Sequence, residues 1–289
     1  MPINESALFS CEWLKQNLDA KNQVILDATF FLPRQQRCAK EEYQQQHIPN
    51  AQFFDIDKVA DLSHSLSHML PKPDGFAAAV GKMGITNDTQ VVIYDNNHFF
   101  AAARVWWMFR VFGHEQVYII DGGMARWKQL NFSVNSEQPN SLSFQKRQQN
   151  FVVQYRPELV FDLKQMIWAQ QNQSAQIIDA RSADSFLGQR KLVDSSLQAG
   201  HIPDSSNIPY IGLTDSSTQT LLENQELQTL FEQANINFSR AIVTTCGSGV
   251  SAAVLSLALY QLGLKNIPLY DGSWSEWGRC IDTAKQTHE

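Results

Sequence analysis

The segment RAIVTTCGSGVSAAVLSLALYQLG (residues 240–263) joins a β-rich run, a turn with two glycines and an uncharged helical pattern. Strand, turn and helix in this order are the repeating unit of a parallel sheet covered by helices. The turn divides the uncharged run and leaves about a dozen helical residues after it, fewer than the roughly 20 that a membrane span needs. We therefore interpret the segment as a buried strand followed by a buried helix.

The same pattern occurs earlier in the chain, in QVVIYDNNHFFAAARVWWMFRVFG (residues 90–113). Three further pairs of motifs follow the same order in both halves: VILDAT and QIIDAR, HIPNAQFFDI and HIPDSSNIPY, and VYIIDGGMARW and IPLYDGSWSEW. The matched residues are Asp27 with Asp179, His47 with His201, Asp121 with Asp271, and Trp127 with Trp277. Self-similarity of this kind indicates a duplicated domain.

Each copy alternates short β-rich runs with helical patterns, which predicts an α/β fold with a parallel sheet and helices on both of its faces. The stretch between the copies is rich in Ser, Asn and Gln and lacks apolar periodicity, as linkers do. We predict a first domain over residues 1–138, a linker over 139–156 and a second domain over 157–289.

Composition and charge limit the classes of partner. The 289 residues are 43% hydrophobic, and 23 basic against 29 acidic residues give a net charge of −6, without the basic clusters that nucleic acid requires. We expect no nucleic-acid or membrane partner. The N-terminal stretch lacks the features of a secretory signal, so the expected location is the cytoplasm. The four cysteines form no CxxC or Cys/His pattern, so disulfides and metal sites are not expected.

Cys246 is the candidate nucleophile because it lies at the turn between the strand and the helix of the second copy. Ligands of open α/β sheets bind at the carboxyl ends of strands, and a helix N-terminus favours an anion such as a thiolate. Gly247 and Gly249 allow a tight turn in which several N–H groups converge. The first copy has Asp95 at the matching position, so the fold does not require cysteine there. The alternative role for Cys246 is that of a small buried apolar residue.

The motifs CGSGVSAA, FFDID, RVWWMFR and DGSWSEW, together with the two HIP motifs, resemble the tandem-domain sulfurtransferases of the rhodanese superfamily, in particular those that use 3-mercaptopyruvate. The resemblance implies two rhodanese-like domains, the first inactive. It also implies that Cys246 takes a sulfane sulfur from a small-molecule donor as a persulfide. The acceptor is then cyanide or a thiol, such as a thioredoxin-type protein or a low-molecular-weight thiol, with no metal or organic cofactor.

The loop residues Gly247, Ser248, Gly249 and Val250 carry no cation, whereas thiosulfate-specific relatives resemble one another in having cations there. This difference favours 3-mercaptopyruvate over the thiosulfate dianion, with Ser248 as a hydrogen-bond partner of the donor. By resemblance, Asp57 of FFDID and His68 of HML match positions that face the catalytic loop and polarise it. For both, ordinary surface polarity is the alternative.

One departure from the family concerns the two arginines that usually hold the donor carboxylate. Ser185 and Asp194 stand at these positions in an ungapped alignment. Arg190, Lys191 and Arg181 are the candidate substitutes, although the proximity of Arg181 to Asp179 in the sequence also suggests a structural ion pair.

Three other functions were compared with transfer from mercaptopyruvate. A cysteine phosphatase needs an arginine six residues after the cysteine to bind phosphate, and that residue is Ala252. A thiosulfate:cyanide sulfurtransferase and a non-catalytic binding or redox-sensing module both remain open.

His201 is not assigned as a base, because His47 matches it in the copy without a thiol. Trp274 is compatible with a pocket wall and with core packing.

Overall fold

The computed structural model describes residues 6–136, 149–192 and 194–287, which form two compact units. Among these residues, the first unit comprises 6–62, 70–136, 149–156 and 215–221. The second unit comprises 63–69, 157–192, 194–214 and 222–287. Each unit therefore contains one copy of the duplicated sequence and a short segment from the sequence range of the other copy.

The first unit is built on one parallel sheet. Its strands are β1 (Leu8–Phe9), β2 (Gln23–Asp27), β3 (Ala51–Phe53), β4 (Gln90–Tyr94) and β5 (Val117–Ile120). They lie in the order β1-β5-β4-β2-β3. The helices that flank the sheet are α1 (Cys11–Gln16), α2 (Ala39–Gln45), α3 (Pro73–Lys82), α4 (Ala102–Val111) and α5 (Gly123–Gln129), with a 3₁₀ helix at Pro33–Gln35.

The second unit repeats this arrangement. Its strands are β6 (Val160–Phe161), β7 (Gln176–Asp179), β8 (Ser206–Asn207), β9 (Ile242–Thr245) and β10 (Leu269–Tyr270). They are also all parallel, in the order β6-β10-β9-β7-β8. The flanking helices are α6 (Leu163–Gln171), α7 (Ala183–Phe186), α8 (Asn224–Gln233), α9 (Ala252–Gln261) and α10 (Ser273–Trp277), with 3₁₀ helices at Pro157–Leu159 and Tyr210–Leu213. The predicted α/β fold with a parallel sheet in each copy is confirmed.

The segment 240–263 folds as predicted. Strand β9 is buried along its whole length, and eight of the ten residues of α9 are buried. An apolar helix without a polar face belongs in the interior of a domain. No helix in the described part of the chain is long and apolar enough to span a membrane. Because β9 lies between β10 and β7, the turn that follows it opens at the centre of the sheet's carboxyl edge.

The paired histidines have the same structural role in both units. The Nδ1 atom of His47 lies 2.7 Å from the Tyr43 carbonyl oxygen, and that of His201 lies 2.8 Å from the Phe186 carbonyl oxygen. Each imidazole ring also stacks on the aromatic ring of the same residue, at 4.4 Å and 3.7 Å. Both histidines are buried. His47 and His201 therefore occupy equivalent structural settings in the two units.

The predicted linker is described only from residue 149 onward, and its residues 139–148 lie outside the described ranges. The described part packs on the first unit. The N–H of Gln149 donates to Gly81, that of Gln154 donates to Phe112, and Phe151 is buried with its ring against α3 and α4. Residues 149–156 therefore belong to the first compact unit.

Candidate active site

Cys246 is the first residue after β9, and its side chain is 1% exposed. The backbone around it is held by the turn that begins α10. The N–H of Cys246 donates to Ser273 Oγ at 3.1 Å, and its carbonyl oxygen accepts the N–H of Trp274 at 2.9 Å. The carbonyl oxygen of Gly247 accepts both the N–H and the hydroxyl of Ser275, at 2.8 and 2.7 Å. The backbone of Cys246 and Gly247 is thus held by the turn that begins α10.

The turn from β9 to α9 leaves several backbone donors available. Gly249 has φ 74, a left-handed conformation that glycine adopts without strain. Within the described residues, the N–H groups of five residues of the turn have no hydrogen-bond acceptor: Gly247, Ser248, Val250, Ser251 and Ala252. Unpaired N–H groups at the start of a helix favour a negative charge. The turn is therefore suited to an anion.

In the first unit, the N–H groups of the corresponding turn donate to the side chain of Asp95. The two carboxylate oxygens of Asp95 accept four backbone N–H groups at 3.0 to 3.1 Å, from Asn97, Phe99, Ala101 and Ala102. The last two donors begin α4, as Ser251 and Ala252 begin α9. A turn with backbone N–H donors therefore follows the central strand of both sheets. The first copy fills it with its own carboxylate, and the second places a thiol there.

Ser248 and His68, two of the residues that the resemblance assigns to the site, are in contact in the second unit. His68 Nδ1 lies 3.3 Å from Ser248 Oγ, and the segment 63–69 that carries this histidine belongs to the compact unit of Cys246. His68 has φ 63, an uncommon conformation for a residue with a side chain. Asp57 is exposed in the turn after β3, where its N–H donates to Asp55, and it belongs to the first unit.

A cavity of about 340 Å³ opens beside the turn. Gly247 and Ser248 form one wall, and residues 188, 190–192, 197, 199 and 200 contribute others. Of the five residues considered at or near the family's arginine positions, four line it, namely Arg181, Ser185, Arg190 and Lys191, whereas Asp194 does not. Val250, also a residue of this loop, is buried, and neither it nor Gly249 is among the residues that line the cavity. The cavity is therefore lined by the uncharged loop residues Gly247 and Ser248 and by cationic side chains such as Arg190 and Lys191.

Arg181 is held by structural contacts. Its guanidinium donates to both carboxylate oxygens of Asp179, at 2.7 to 3.1 Å, and to the carbonyl oxygen of Gly200 at 2.9 Å. The guanidinium also lies 4.5 Å from the ring of Trp274, which is buried and lines the same cavity. Arg181 thus shapes the cavity while its charge is neutralised by Asp179.

Asp194, which aligns with the second family arginine, forms an ion pair with Arg279. Hydrogen bonds from the hydroxyl and the N–H of Ser196, followed by those from Arg279, lower the pKa of Asp194 to about 2. Ser185, at the first arginine position, has its hydroxyl 3.0 Å from that of Ser182. Neither position offers a cation to a donor carboxylate, so Arg190 and Lys191 are the cavity cations that the Asp179 carboxylate does not neutralise.

Ser273 is not among the residues that the sequence predicts for the site. It is completely buried, and its Oγ atom lies 3.9 Å from Cys246 Sγ. The duplication contains a signal for it, because the motif DGG of the first copy becomes DGS in the second. The change from DGG to DGS points to the site only once the turn that contains Ser273 is known to contact Cys246.

The sequence and the fold match known proteins over most of the chain. The rhodanese-like domain family matches residues 10–130 and 161–280. A thiosulfate/3-mercaptopyruvate sulfurtransferase of Arabidopsis thaliana is 40% identical, covering 94% of this chain and 76% of the relative. The 3-mercaptopyruvate sulfurtransferase of Escherichia coli is 37% identical, covering 94% of both chains. A crystal structure of a 3-mercaptopyruvate sulfotransferase from Escherichia coli superposes with a TM-score of 0.82 at 35% identity, covering 94% of this chain and 100% of that one. The chain therefore belongs to the rhodanese family, among its tandem-domain sulfurtransferases.

Proposed function

We propose that this chain moves a sulfane sulfur from 3-mercaptopyruvate, through a persulfide on Cys246, to a thiol or to cyanide. The observation that carries the proposal is the position of the Cys246 thiol at a turn with available N–H donors. The corresponding turn of the first unit binds the carboxylate of Asp95. The thiolate attacks the sulfur of mercaptopyruvate, the carbon–sulfur bond breaks, and its electron pair leaves on carbon as the enolate of pyruvate, which takes a proton. An acceptor thiolate then attacks the outer sulfur, and the Cys246 thiolate leaves.

The available N–H groups of the turn support both halves of this cycle. Cys246 is negatively charged as the attacking thiolate and again as the leaving group, and the persulfide between these states is also an anion. Preorganised N–H donors stabilise such charges without reorganisation during the reaction. No metal or organic cofactor enters any of these steps.

Ser248 and His68 are proposed to act on the donor. The Ser248 hydroxyl lines the cavity and is placed to donate a hydrogen bond to the donor sulfur or carbonyl. His68, at 3.3 Å, orients this hydroxyl. The corresponding role of Asp57 remains a prediction from the resemblance.

We propose mercaptopyruvate rather than thiosulfate as the donor because the loop wall of the cavity carries no charged side chain. A single carboxylate needs one cationic partner, which Arg190 or Lys191 supplies, whereas a dianion would meet a neutral loop. Turnover with each donor, followed by intact-protein mass spectrometry of the donor-treated protein, tests the function. Faster turnover with mercaptopyruvate and one additional sulfur atom are expected. Absence of turnover with either donor would instead favour the binding or redox-sensing module.

The absence of the two family arginines that usually hold the donor carboxylate leads to a prediction about KM for the donor. If Arg190 rather than Lys191 holds the donor carboxylate, Arg190→Ala is expected to raise KM for mercaptopyruvate roughly ten- to a hundredfold with little change in kcat, because a charge-assisted hydrogen bond contributes about 1.5 to 3 kcal/mol. Ser185→Arg, which restores a family cation, should lower KM. Steady-state kinetics measures both changes.

Arg240→Ala is the matched control for loss of an arginine. Arg240 belongs to the same unit, precedes β9 at the opposite edge of the sheet, and donates to the Gln173 carbonyl. Its replacement should leave KM unchanged. If thiosulfate is the better donor and Ser185→Arg has no effect, the chain belongs functionally with the thiosulfate:cyanide sulfurtransferases.

The acceptor and the compartment are proposed only from the sequence. A thioredoxin-type protein or a low-molecular-weight thiol is the proposed physiological acceptor, and the cytoplasm is the proposed compartment. The Arabidopsis relative with 41% identity has no compartment in its name, whereas the one with 40% identity is named mitochondrial. Fractionation of cells that express the tagged chain measures the location, and recovery in an organelle would contradict the cytoplasmic assignment.

A further inference from the structure

We propose that Ser273 is a positioning residue for Cys246, whose hydroxyl holds the backbone of the nucleophile and turns its proton to the inner sulfur whenever that sulfur is charged. The inference rests on the proposed persulfide chemistry at Cys246 and adds a residue that acts on the cysteine sulfur, whereas Ser248 is placed toward the donor.

The hydroxyl of Ser273 is surrounded by groups of the catalytic strand and turn. It accepts the N–H of Cys246 at 3.1 Å and the hydroxyl of Thr245 at 3.4 Å. It donates to the carbonyl oxygen of Tyr270 at 2.8 Å and also lies 3.9 Å from Cys246 Sγ. Because the side chain is completely buried, water does not replace any of these contacts.

The backbone conformation of Ser273 favours glycine, so the presence of serine there supports a role for its hydroxyl. Ser273 has φ 49, and the matching Gly123 of the first unit has φ 50. The two turns make the same backbone hydrogen bond, from Met124 N–H to Asp95 and from Trp274 N–H to Cys246, both at 2.9 Å. Glycine adopts this conformation without strain, whereas serine does not.

Space at this turn leads to the same conclusion. In the first unit, a Cβ atom on Gly123 would come within 2.2 Å of the Asp95 carbonyl oxygen, which is far inside van der Waals contact. The second unit accommodates a Cβ atom at the matching position. The serine side chain therefore lies next to Cys246 at a position where the first unit has no room for one.

A hydroxyl has one proton, and its two possible acceptors differ in strength. With a neutral sulfur, the carbonyl of Tyr270 at 2.8 Å is the better acceptor. With an anionic sulfur, a charge-assisted hydrogen bond becomes stronger than a neutral one. The Ser273 proton then turns from the carbonyl to Sγ. This occurs when the acceptor thiolate takes the outer sulfur and the electron pair of the broken sulfur–sulfur bond remains on Cys246.

The test uses Ser273→Ala, which keeps the Cβ atom and removes the hydroxyl. Persulfide is loaded onto the full chain, and its transfer to a small thiol is followed in a single turnover. Transfer is expected to be roughly ten- to a hundredfold slower, and alkylation of Cys246 by iodoacetamide should require a higher pH than in the original chain. A rate and a pH profile within twofold of the original would overturn the proposal.

Two further variants separate the hydroxyl from folding. Ser256→Ala removes another buried hydroxyl of the same unit, located 3.0 Å from Thr244 Oγ1, and should leave both measurements unchanged. Ser273→Gly removes the hydroxyl and the strained φ together, so it should resist heat better than Ser273→Ala but transfer sulfur as slowly. Recovery of the rate in Ser273→Gly would assign the effect to the backbone and refute the role. If the original chain forms no persulfide, the proposed function fails, and Ser273 has no sulfur charge to serve.

Discussion

Cys246→Ser is expected to reduce sulfur transfer to below about 1% of the original rate, because a hydroxyl at this position is a far weaker nucleophile and forms no persulfide. Serine is close in size to cysteine, and the contacts that fix this residue use its backbone N–H and carbonyl groups. The free energy of unfolding should therefore change by no more than about 1 kcal/mol. Steady-state turnover and intact-protein mass spectrometry after donor treatment measure the effect. Residual activity of a few per cent or more would exclude Cys246 as the nucleophile.

The other three cysteines are the controls for this substitution. Burial raises the pKa of Cys11 to about 12, so its thiol stays neutral, and its sulfur lies 3.6 Å from the Asp121 carbonyl oxygen. Cys38 is exposed, and Cys280 is half-buried. Replacement of any one of them by serine should preserve sulfur transfer and addition of one sulfur atom to the protein.

The sheet and the position of the turn that carries Cys246 were predictable because both depend on local sequence. β-Branched residues before a glycine turn and an apolar run after it predict β9 and α9 without knowledge of any distant residue. The duplication added a comparison within the chain, which separated His201 from Cys246 through His47. These features repeat wherever the same local physics is needed, so one chain was sufficient to recognise them.

Contacts between distant residues were less predictable. The ion pair of Asp194 with Arg279 joins two segments about which the local sequence says nothing. The hydrogen bond between His68 and Ser248 depends on a segment that precedes the second domain in sequence but belongs to its compact unit. The resemblance supplied that pair, whereas residue patterns alone did not. Ser273 could not be predicted from the sequence, because its proposed role depends on a distance to sulfur and on a backbone angle.

The anion-binding turn of the first unit has a stabilising role that is testable on its own. Each carboxylate oxygen of Asp95 accepts two of the four backbone N–H groups. Both oxygens therefore act as hydrogen-bond acceptors. Burial raises the pKa of Asp95 above its ordinary value, and the four backbone N–H groups oppose that rise. The side chain is 4% exposed, so an apolar replacement would leave these donors with little access to water.

Asp95→Ala is therefore expected to reduce the free energy of unfolding by about 3 to 5 kcal/mol, because buried donors without acceptors each cost about 1 to 3 kcal/mol and partial hydration relieves some of that cost. Asp95→Asn keeps one oxygen acceptor and should lose less. Urea unfolding measures the free energy. Amide hydrogen exchange of Asn97, Phe99, Ala101 and Ala102 should show loss of protection in the alanine variant.

The same truncation in the second unit, Cys246→Ala, is the matched comparison. It removes a side chain that accepts none of the described hydrogen bonds from N–H groups of its turn, so we expect a loss of only about 1 to 2 kcal/mol, the usual cost of trimming a small buried group. Equal losses in the two variants would show that the Asp95 contacts add nothing and that the two turns do not differ in this respect. A large difference would mean that the first copy uses its anion for stability, whereas the second leaves the same donors available for the charge that develops on sulfur.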